Sequence, residues 1–375
     1  MIEPTSQLTP AAKQTTEIIY AGGTISSIAT ADGYREGGHV IDLVSELARR
    51  MPTFRERFSV GKPTVAYTGL SENLEPKYWA IIEEHVANAL KRHPHAILIT
   101  HGTDSMEQTA RYLQKKFLPV ITKQKTKIII TAANDDILHP KTDAWENLMF
   151  SFESASSNAP ANVYVAFRGR LIPADVVVKE PFNGREMNYA SMKDKAYQES
   201  MSRVKNHSDW LISKLERVFE GVTPDTARVK AYDVSIFRED HHEFLADIEA
   251  HPTRAVLLNL YHSGTANTEN PRMSVAKLIK KLRTERKIVS FVVTENNSPV
   301  DLHAYETSVQ MRLAGGVPLY DMPREVALAK LQYLVKSATT PVALIQEMLK
   351  ARADEIDENL IISDDIRQLI KLYKG

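Results

Sequence analysis

Four short apolar runs, residues 17–21, Ala96–Thr100, Lys127–Thr131 and Val163–Phe167, each break off abruptly into small or polar residues. Runs of about five residues that are apolar on both faces read as strands of a parallel sheet, buried on each side and feeding into loops. Between them the apolar spacing turns helical, over residues 39–51, 75–92, 106–116 and 143–156. Strands alternating with helices predict an α/β fold around a parallel sheet.

Residues 185–227 interrupt that rhythm. They are charged, poor in strand signals, and carry one amphipathic stretch near 209–220. A second alternation follows, with strand patterns at 229–234, 255–261 and 287–294 and helical patterns at 241–250, 274–286, 324–336 and 341–352. The tail from residue 353 onward is charged and helical in part. A chain of 375 residues exceeds one typical core. The expected organisation is a polar N-terminal extension (1–16), a larger N-terminal α/β domain with the catalytic motifs (17–205), a linker with an inserted helix (206–227) and a smaller C-terminal α/β domain (228–375).

Composition removes several function classes. Lys+Arg and Asp+Glu both number 47, so no net field favours nucleic acid or an anionic membrane. No apolar stretch approaches the roughly 18–20 residues that span a bilayer, and the first residues lack the basic-then-apolar pattern of a secretion signal. A cytoplasmic location is expected. With no cysteine, disulfides, thiolate metal sites and a cysteine nucleophile are all ruled out. His93-Pro94-His95 and His241-His242 lack metal-ligand spacing, and no phosphate-cradling Gly-Lys-Ser/Thr loop occurs. No metal and no cofactor are therefore expected.

Ligands of parallel α/β sheets bind outside the carboxyl ends of the strands, and these ends are rich in hydroxyls. The first continues as Tyr20-Ala21-Gly22-Gly23-Thr24-Ile25, the second as Thr100-His101-Gly102-Thr103-Asp104-Ser105. Paired glycines let backbone N–H groups approach a ligand closely. Taken alone, Gly-Gly-Thr fits a tight turn as well as a site, and Thr103-Asp104 could equally cap the helix that follows. His101 has no serine and aspartate arranged with it and reads as structural.

Together the two segments resemble the asparaginase/glutaminase-type amidohydrolases, most closely the bacterial cytoplasmic type I branch. The resemblance runs from about residue 18 to about residue 359. It continues through Gly33-Tyr34, Ser71-Glu72-Asn73-Leu74-Glu75-Pro76, Thr142-Asp143 with Asn147-Leu148, and Arg170 followed nine residues later by Lys179. Late in the chain it includes Tyr305, Gly315-Gly316 and Asp321-Met322-Pro323-Arg324-Glu325. The resemblance implies hydrolysis of L-asparagine to L-aspartate and ammonia. Thr24 and Thr103 would flank the scissile carbonyl, with Thr24 attacking to give an acyl-enzyme that water resolves. It implies Lys179 as the base beside Thr103, Asp104 as partner of a substrate α-ammonium, Ser71 as partner of its α-carboxylate, and Tyr34 as the residue that polarises Thr24. Glu72, Ala133 and Asn267 would line the substrate site. A homodimer or homotetramer is implied, because a neighbouring subunit completes the family's sites, here through Thr265 or Asn267.

The departures fall around the substrate. Ala21 opens the first motif where the family has threonine, and Leu70 replaces an aspartate. Thr131-Ala132-Ala133-Asn134 replaces Thr-Gly-Ala/Ser, and Val177-Val178-Lys179 replaces Thr-Thr-Lys. Tyr261-His262-Ser263-Gly264-Thr265-Ala266-Asn267 replaces Tyr-Gly-x-Gly-Asn-Ala. Two alternatives stand beside asparagine hydrolysis. One is a related amidase, acting on glutamine or serving glutamine hydrolysis to a tRNA-dependent amidotransferase; Leu70-Ser71-Glu72-Asn73 fits that group, while the balanced charge gives no basic surface for tRNA. The other is a non-catalytic sensor or scaffold on the same fold, against which the retention of Thr24, Thr103, Asp104 and Lys179 weighs.

Overall fold

A computed structural model describes residues 15–29, 35–36, 42–180, 188–234 and 240–374. Residues 1–14 of the expected N-terminal extension and Tyr34 lie outside the described residues, while Thr15 and Thr16 open the first strand. A seven-stranded sheet forms the first half. From one edge it runs through Ser59–Val60 and Thr64–Tyr67, which both pair with Thr15–Ala21, then Ala96–Thr100, Lys127–Thr131, Val163–Phe167 and Arg170–Pro173. All pairings are parallel except the last, where Arg170–Pro173 turns straight back on Val163–Phe167.

The central strands are largely apolar because most of their residues serve one of two cores. Ile19, Ala21, Ile97, Ile99, Ile128 and Ile130 point to one face, where helices Pro76–Leu90 and Met106–Gln124 supply Ile82, Val86, Ala110 and Leu113. Ile18, Tyr20 and Leu98 point to the other, against Leu43 and Leu47 of Leu43–Arg50 and Leu148 and Phe152 of Ala144–Ala155. Alternate residues thus feed opposite faces, as the period of two in a strand requires.

The second half is a four-stranded parallel sheet in the order Val229–Asp233, Ala255–Leu260, Val289–Thr294, Val317–Pro318. Leu257, Val289 and Phe291 pack under helix Arg324–Ser337 with Val326, Leu331 and Leu334. Val256, Leu258 and Val292 pack under Val275–Arg286 with Leu278, Ile279 and Leu282. The amphipathic stretch near 209–220 belongs to a longer helix, Lys195–Val218, whose Leu211 and Leu215 join the core beneath Arg324–Ser337. The tail forms helix Ser363–Lys374. No described helix is long and apolar enough to cross a membrane.

Candidate active site

Three loops meet at the carboxyl ends of the first sheet, residues 22–24, 69–73 and 102–105, and they meet backbone to backbone. Gly22 and Gly23 have φ of +69° and +86°, a region that side chains other than glycine rarely adopt. A Cβ on Gly23 would lie 2.2 Å from Gly102 N, and one on Gly22 would lie 2.2 Å from Gly69 O. One on Gly102 would lie 2.4 Å from Ser71 Oγ. Gly23 N donates to Gly69 O at 3.0 Å. The glycines are therefore required by contact, and this contact together with the Tyr20↔Thr100 register carries Thr24 and Thr103 to neighbouring strand ends.

The main chain around each threonine is pinned. Thr24 O accepts from Ser27 N and from Ser27 Oγ at 2.8 Å. Thr103 O accepts from the phenol of the buried Tyr189. Asp104 N donates to Ser71 Oγ at 3.2 Å, and Ser105 Oγ returns a bond to Ser71 O at 2.9 Å. Ser71 is thus tied to the second motif.

Lys179 ends the strand Val177–Lys179, which pairs antiparallel with Tyr189–Ser191. Its N donates to Glu107 Oε2 at 2.9 Å, and its Nζ donates to Asp104 Oδ1 at 2.6 Å. The two side chains are 3% and 5% exposed, so the ion pair is withdrawn from water. Burial pushes the Asp104 carboxyl up, but the Lys179 ammonium and the hydroxyls of Thr265 and Ser263 outweigh it and hold the group below the usual carboxylate range. In sequence Lys179 follows two valines; the structure adds a carboxylate partner.

The second half of the chain closes over these loops. Ser263 Oγ donates to Asp104 Oδ1 at 2.9 Å and Thr265 Oγ1 donates to Asp104 Oδ2 at 2.5 Å. Thr307 Oγ1 donates to Glu72 Oε1 at 2.8 Å, and Asn267 Nδ2 donates to Asn73 O at 3.2 Å. Thr265 and Asn267, expected to reach a neighbouring subunit, lie here against loops of their own chain. Burial, reinforced by the Asp104 carboxylate, pushes Glu72 up to about 8. Burial likewise raises Glu295 to about 7 and lowers His262 to about 3, with Lys179 adding to the fall at His262. Around the buried Lys179 ammonium, then, Glu72 and Glu295 are held largely or partly protonated near neutral pH, which limits the repulsion among the carboxyls.

Of the expected residues, the structure brings together Thr24, Thr103, Asp104, Lys179, Ser71 and Glu72, with Asn267 one layer out. Ala133 follows the adjacent strand end, its methyl buried in the core with Ile25, Ile137, Ala144 and Leu148. His101 is structural, its ring bonded to Gly102 O and Thr109 Oγ1, and burial lowers it to about 4. Ser263, Thr307 and Tyr189 escaped sequence reasoning. Glu295 was legible in the sequence, because it directly follows the carboxyl end of the strand Val289–Thr294. Among the described residues no three acidic or histidine side chains are grouped to hold a metal ion. A cavity of about 530 Å³ lies away from these loops, between Arg283, Lys287, Pro341 and Tyr373.

With that geometry in place, comparison with known proteins is informative. The sequence signature described as asparaginase, N-terminal, matches residues 16–210, more than half of the chain. The chain belongs to the asparaginase family. It is similar to a glutamyl-tRNA(Gln) amidotransferase subunit from Methanobrevibacter smithii, 32% identical over 200 residues. That match covers 52% of this chain and 43% of the relative, so it spans less than half of that protein's length. The corresponding glutamyl-tRNA(Gln) amidotransferase subunit from Aeropyrum pernix is 26% identical over 379 residues, covering 97% of this chain and 82% of that one. These relatives are amidotransferase subunits, not the bacterial type I enzymes to which the motifs pointed. Among solved structures, L-asparaginase I from Vibrio cholerae is 20% identical, with 92% of this chain and 100% of that one covered and a TM-score of 0.40. The thermostable L-asparaginase from Thermococcus kodakarensis is also 20% identical, covering 92% and 99%, at a TM-score of 0.37.

Proposed function

We propose that this member of the asparaginase family hydrolyses a side-chain carboxamide and releases ammonia, with glutamine in an amidotransferase-type role as the leading substrate and free L-asparagine as the second. The observation that carries the proposal is the buried Lys179–Asp104 pair beside the strand ends that bear Thr24 and Thr103. A threonine hydroxyl is inert near pH 7 unless a group nearby takes its proton. In the proposed sequence Thr24 Oγ adds to the amide carbon and its proton passes to the departing nitrogen. The C–N bond breaks to free ammonia, and water then cleaves the threonyl ester. Thr103 and Lys179 would relay the proton, and Asp104 would hold Lys179 in place and meet a substrate ammonium through its remaining acceptor capacity.

The preference for glutamine is supported by the relatives' names and by the Leu70-Ser71-Glu72-Asn73 segment. Family membership itself supports asparagine. The same names support work with a partner subunit, and the family resemblance supports a homodimer or homotetramer, which light scattering would read directly. Ammonia release measured with glutamine, asparagine and simple amides tests the reading. Thr24→Ala and Thr103→Ala should each lower turnover by roughly 10³-fold, a loss of about 4 kcal/mol of transition-state stabilisation. Near-normal turnover in both variants sinks the assignment, and ammonia release from none of the amides would favour a non-catalytic role.

A further inference from the structure

Lys179 stands on a strand that the main sheet does not hold. Val177–Lys179 forms with Tyr189–Ser191 a two-stranded sheet of its own, three residues to a strand. Two strands alone are marginally stable in water, and a slip by one residue would turn Lys179 to the opposite face. Groups outside this ribbon must therefore fix it.

The ribbon spends alternate residues on its own pairing. Met192 N donates to Val176 O at 2.8 Å and Glu180 N donates to Asn188 O at 3.0 Å, which turns the backbone groups of Val177 and Lys179 to the other edge. Helix Met106–Gln124 meets that edge with side chains. Glu107 Oε2 accepts from Lys179 N at 2.9 Å and, one helical turn on, Arg111 Nη2 donates to Val177 O at 2.5 Å. A carboxylate thus stands where a third strand would place a carbonyl, and a guanidinium where it would place an N–H.

The spacings agree. Four residues rise about 6 Å along a helix, and two residues span about 6.6 Å along a strand. Glu107 and Arg111 also approach each other at 3.5 Å, but that pair is part-exposed and contributes little by itself. The partner strand is tied down too: Arg170 Nη1 donates to Tyr189 O at 2.9 Å, and the Tyr189 phenol donates to Thr103 O. Arg170, singled out in the sequence by its distance from Lys179, thereby braces the ribbon from its far side.

We propose that Glu107 and Arg111 act as a surrogate third strand, positioning residues that fix the register of Val177–Lys179 and so hold Lys179 Nζ on Asp104. Their effect on turnover rests on the reading of Lys179 as a proton relay, whereas the register does not.

Hydrogen exchange, read by mass spectrometry on peptides that cover residues 176–180, follows the Lys179 amide. Glu107→Ala removes its acceptor and should speed exchange there about tenfold. Glu107→Gln keeps a side-chain oxygen in place and should exchange as the parent does. Arg111→Met frees Val177 O and should speed exchange by a smaller factor. Unchanged exchange in Glu107→Ala and Arg111→Met overturns the proposal. So does an equal rise in peptides from the central strand Ala96–Thr100, since the loss would then be one of general packing.

A displaced relay slows chemistry and leaves ground-state binding alone. In Glu107→Ala, kcat for glutamine and asparagine should fall on the order of 10²-fold at about unchanged KM, and Glu107→Gln should restore it. In a Lys179→Met background, Glu107→Ala should lower kcat no further, because both changes act through one ammonium. A second fall of the same size overturns the positioning role. Ammonia release from none of the forms refutes amide hydrolysis, and the exchange series still decides the register.

Discussion

Lys179→Met keeps most of the side-chain stem and removes the ammonium, leaving Asp104 buried with the Ser263 and Thr265 hydroxyls as its remaining side-chain donors. Removing one partner of a buried ion pair costs about 3–5 kcal/mol, because the other charge is stranded. The two hydroxyl bonds that stay behind place the expected loss near the lower end, about 3 kcal/mol at pH 7. The pH dependence gives the sharper test. In the parent, Asp104 titrates below its unfolded value, so its contribution is complete at neutral pH and is lost as pH falls through the folded value. In the variant, burial is no longer outweighed and the folded value rises above the unfolded one. The folded variant then binds more protons than its unfolded chain, and it gains stability as pH falls. The difference between the proteins should be widest near pH 7 and narrow toward about pH 4. Urea unfolding followed by circular dichroism at pH 7 and pH 4.5 measures it, with ammonia release on the same samples expected to fall roughly 10³-fold. A difference below about 1 kcal/mol at pH 7, or one indifferent to pH, would refute the buried-pair account.

Asp104→Asn removes the charge that would meet a substrate ammonium and loosens Lys179, so turnover should fall for every amide while KM rises for glutamine and asparagine only; an equal rise of KM for amides lacking the ammonium would refute the substrate contact. Gly23→Ala drives a Cβ to 2.2 Å from Gly102 N at a φ of +86°, and it should lower the unfolding midpoint sharply, whereas Gly221→Ala, with open space around its Cβ, should bring only the smaller cost of a positive φ. Glu72, raised to about 8 by burial and the Asp104 carboxylate, binds a proton in the folded chain that the unfolded chain has already lost. Stability should therefore decline as pH rises from about 4.5 to about 8, and Glu72→Gln should flatten that slope in denaturant titrations. A parent-like slope in the variant would assign the effect to another group.

The strands that were legible are those buried on both faces. Ala96–Thr100, Lys127–Thr131 and Val163–Phe167 fall where their unbroken apolar runs place them, because two cores demand apolar residues at every position. Thr64–Tyr67 was not legible, since an edge strand of four residues with Val65 exposed carries no such run. Arg170–Pro173 was hidden for a different reason. It returns through Arg168 and Gly169, both at positive φ, and its short partly exposed pattern reads as loop. Helix Met106–Gln124 outruns its pattern because Pro119 sits on its exposed face and the helix continues past it. The residues of the candidate site were singled out through the resemblance and their place at strand ends together. The docking of Ser263 and Thr265 on Asp104 was beyond both, because a contact across some 160 positions leaves no local pattern.

The interlocked glycines also set the order in which the molecule can assemble. The loops at 22–24, 69–73 and 102–105 touch through main-chain atoms, yet they come together only once Ala96–Thr100 has docked beside Thr15–Ala21. Parallel pairing of this kind closes long loops before any contact rewards it, and so it comes slowly. A nascent chain that ends before residue 105 therefore lacks the third loop against which the first two are packed, and Thr24 and Thr103 become neighbours only after it arrives.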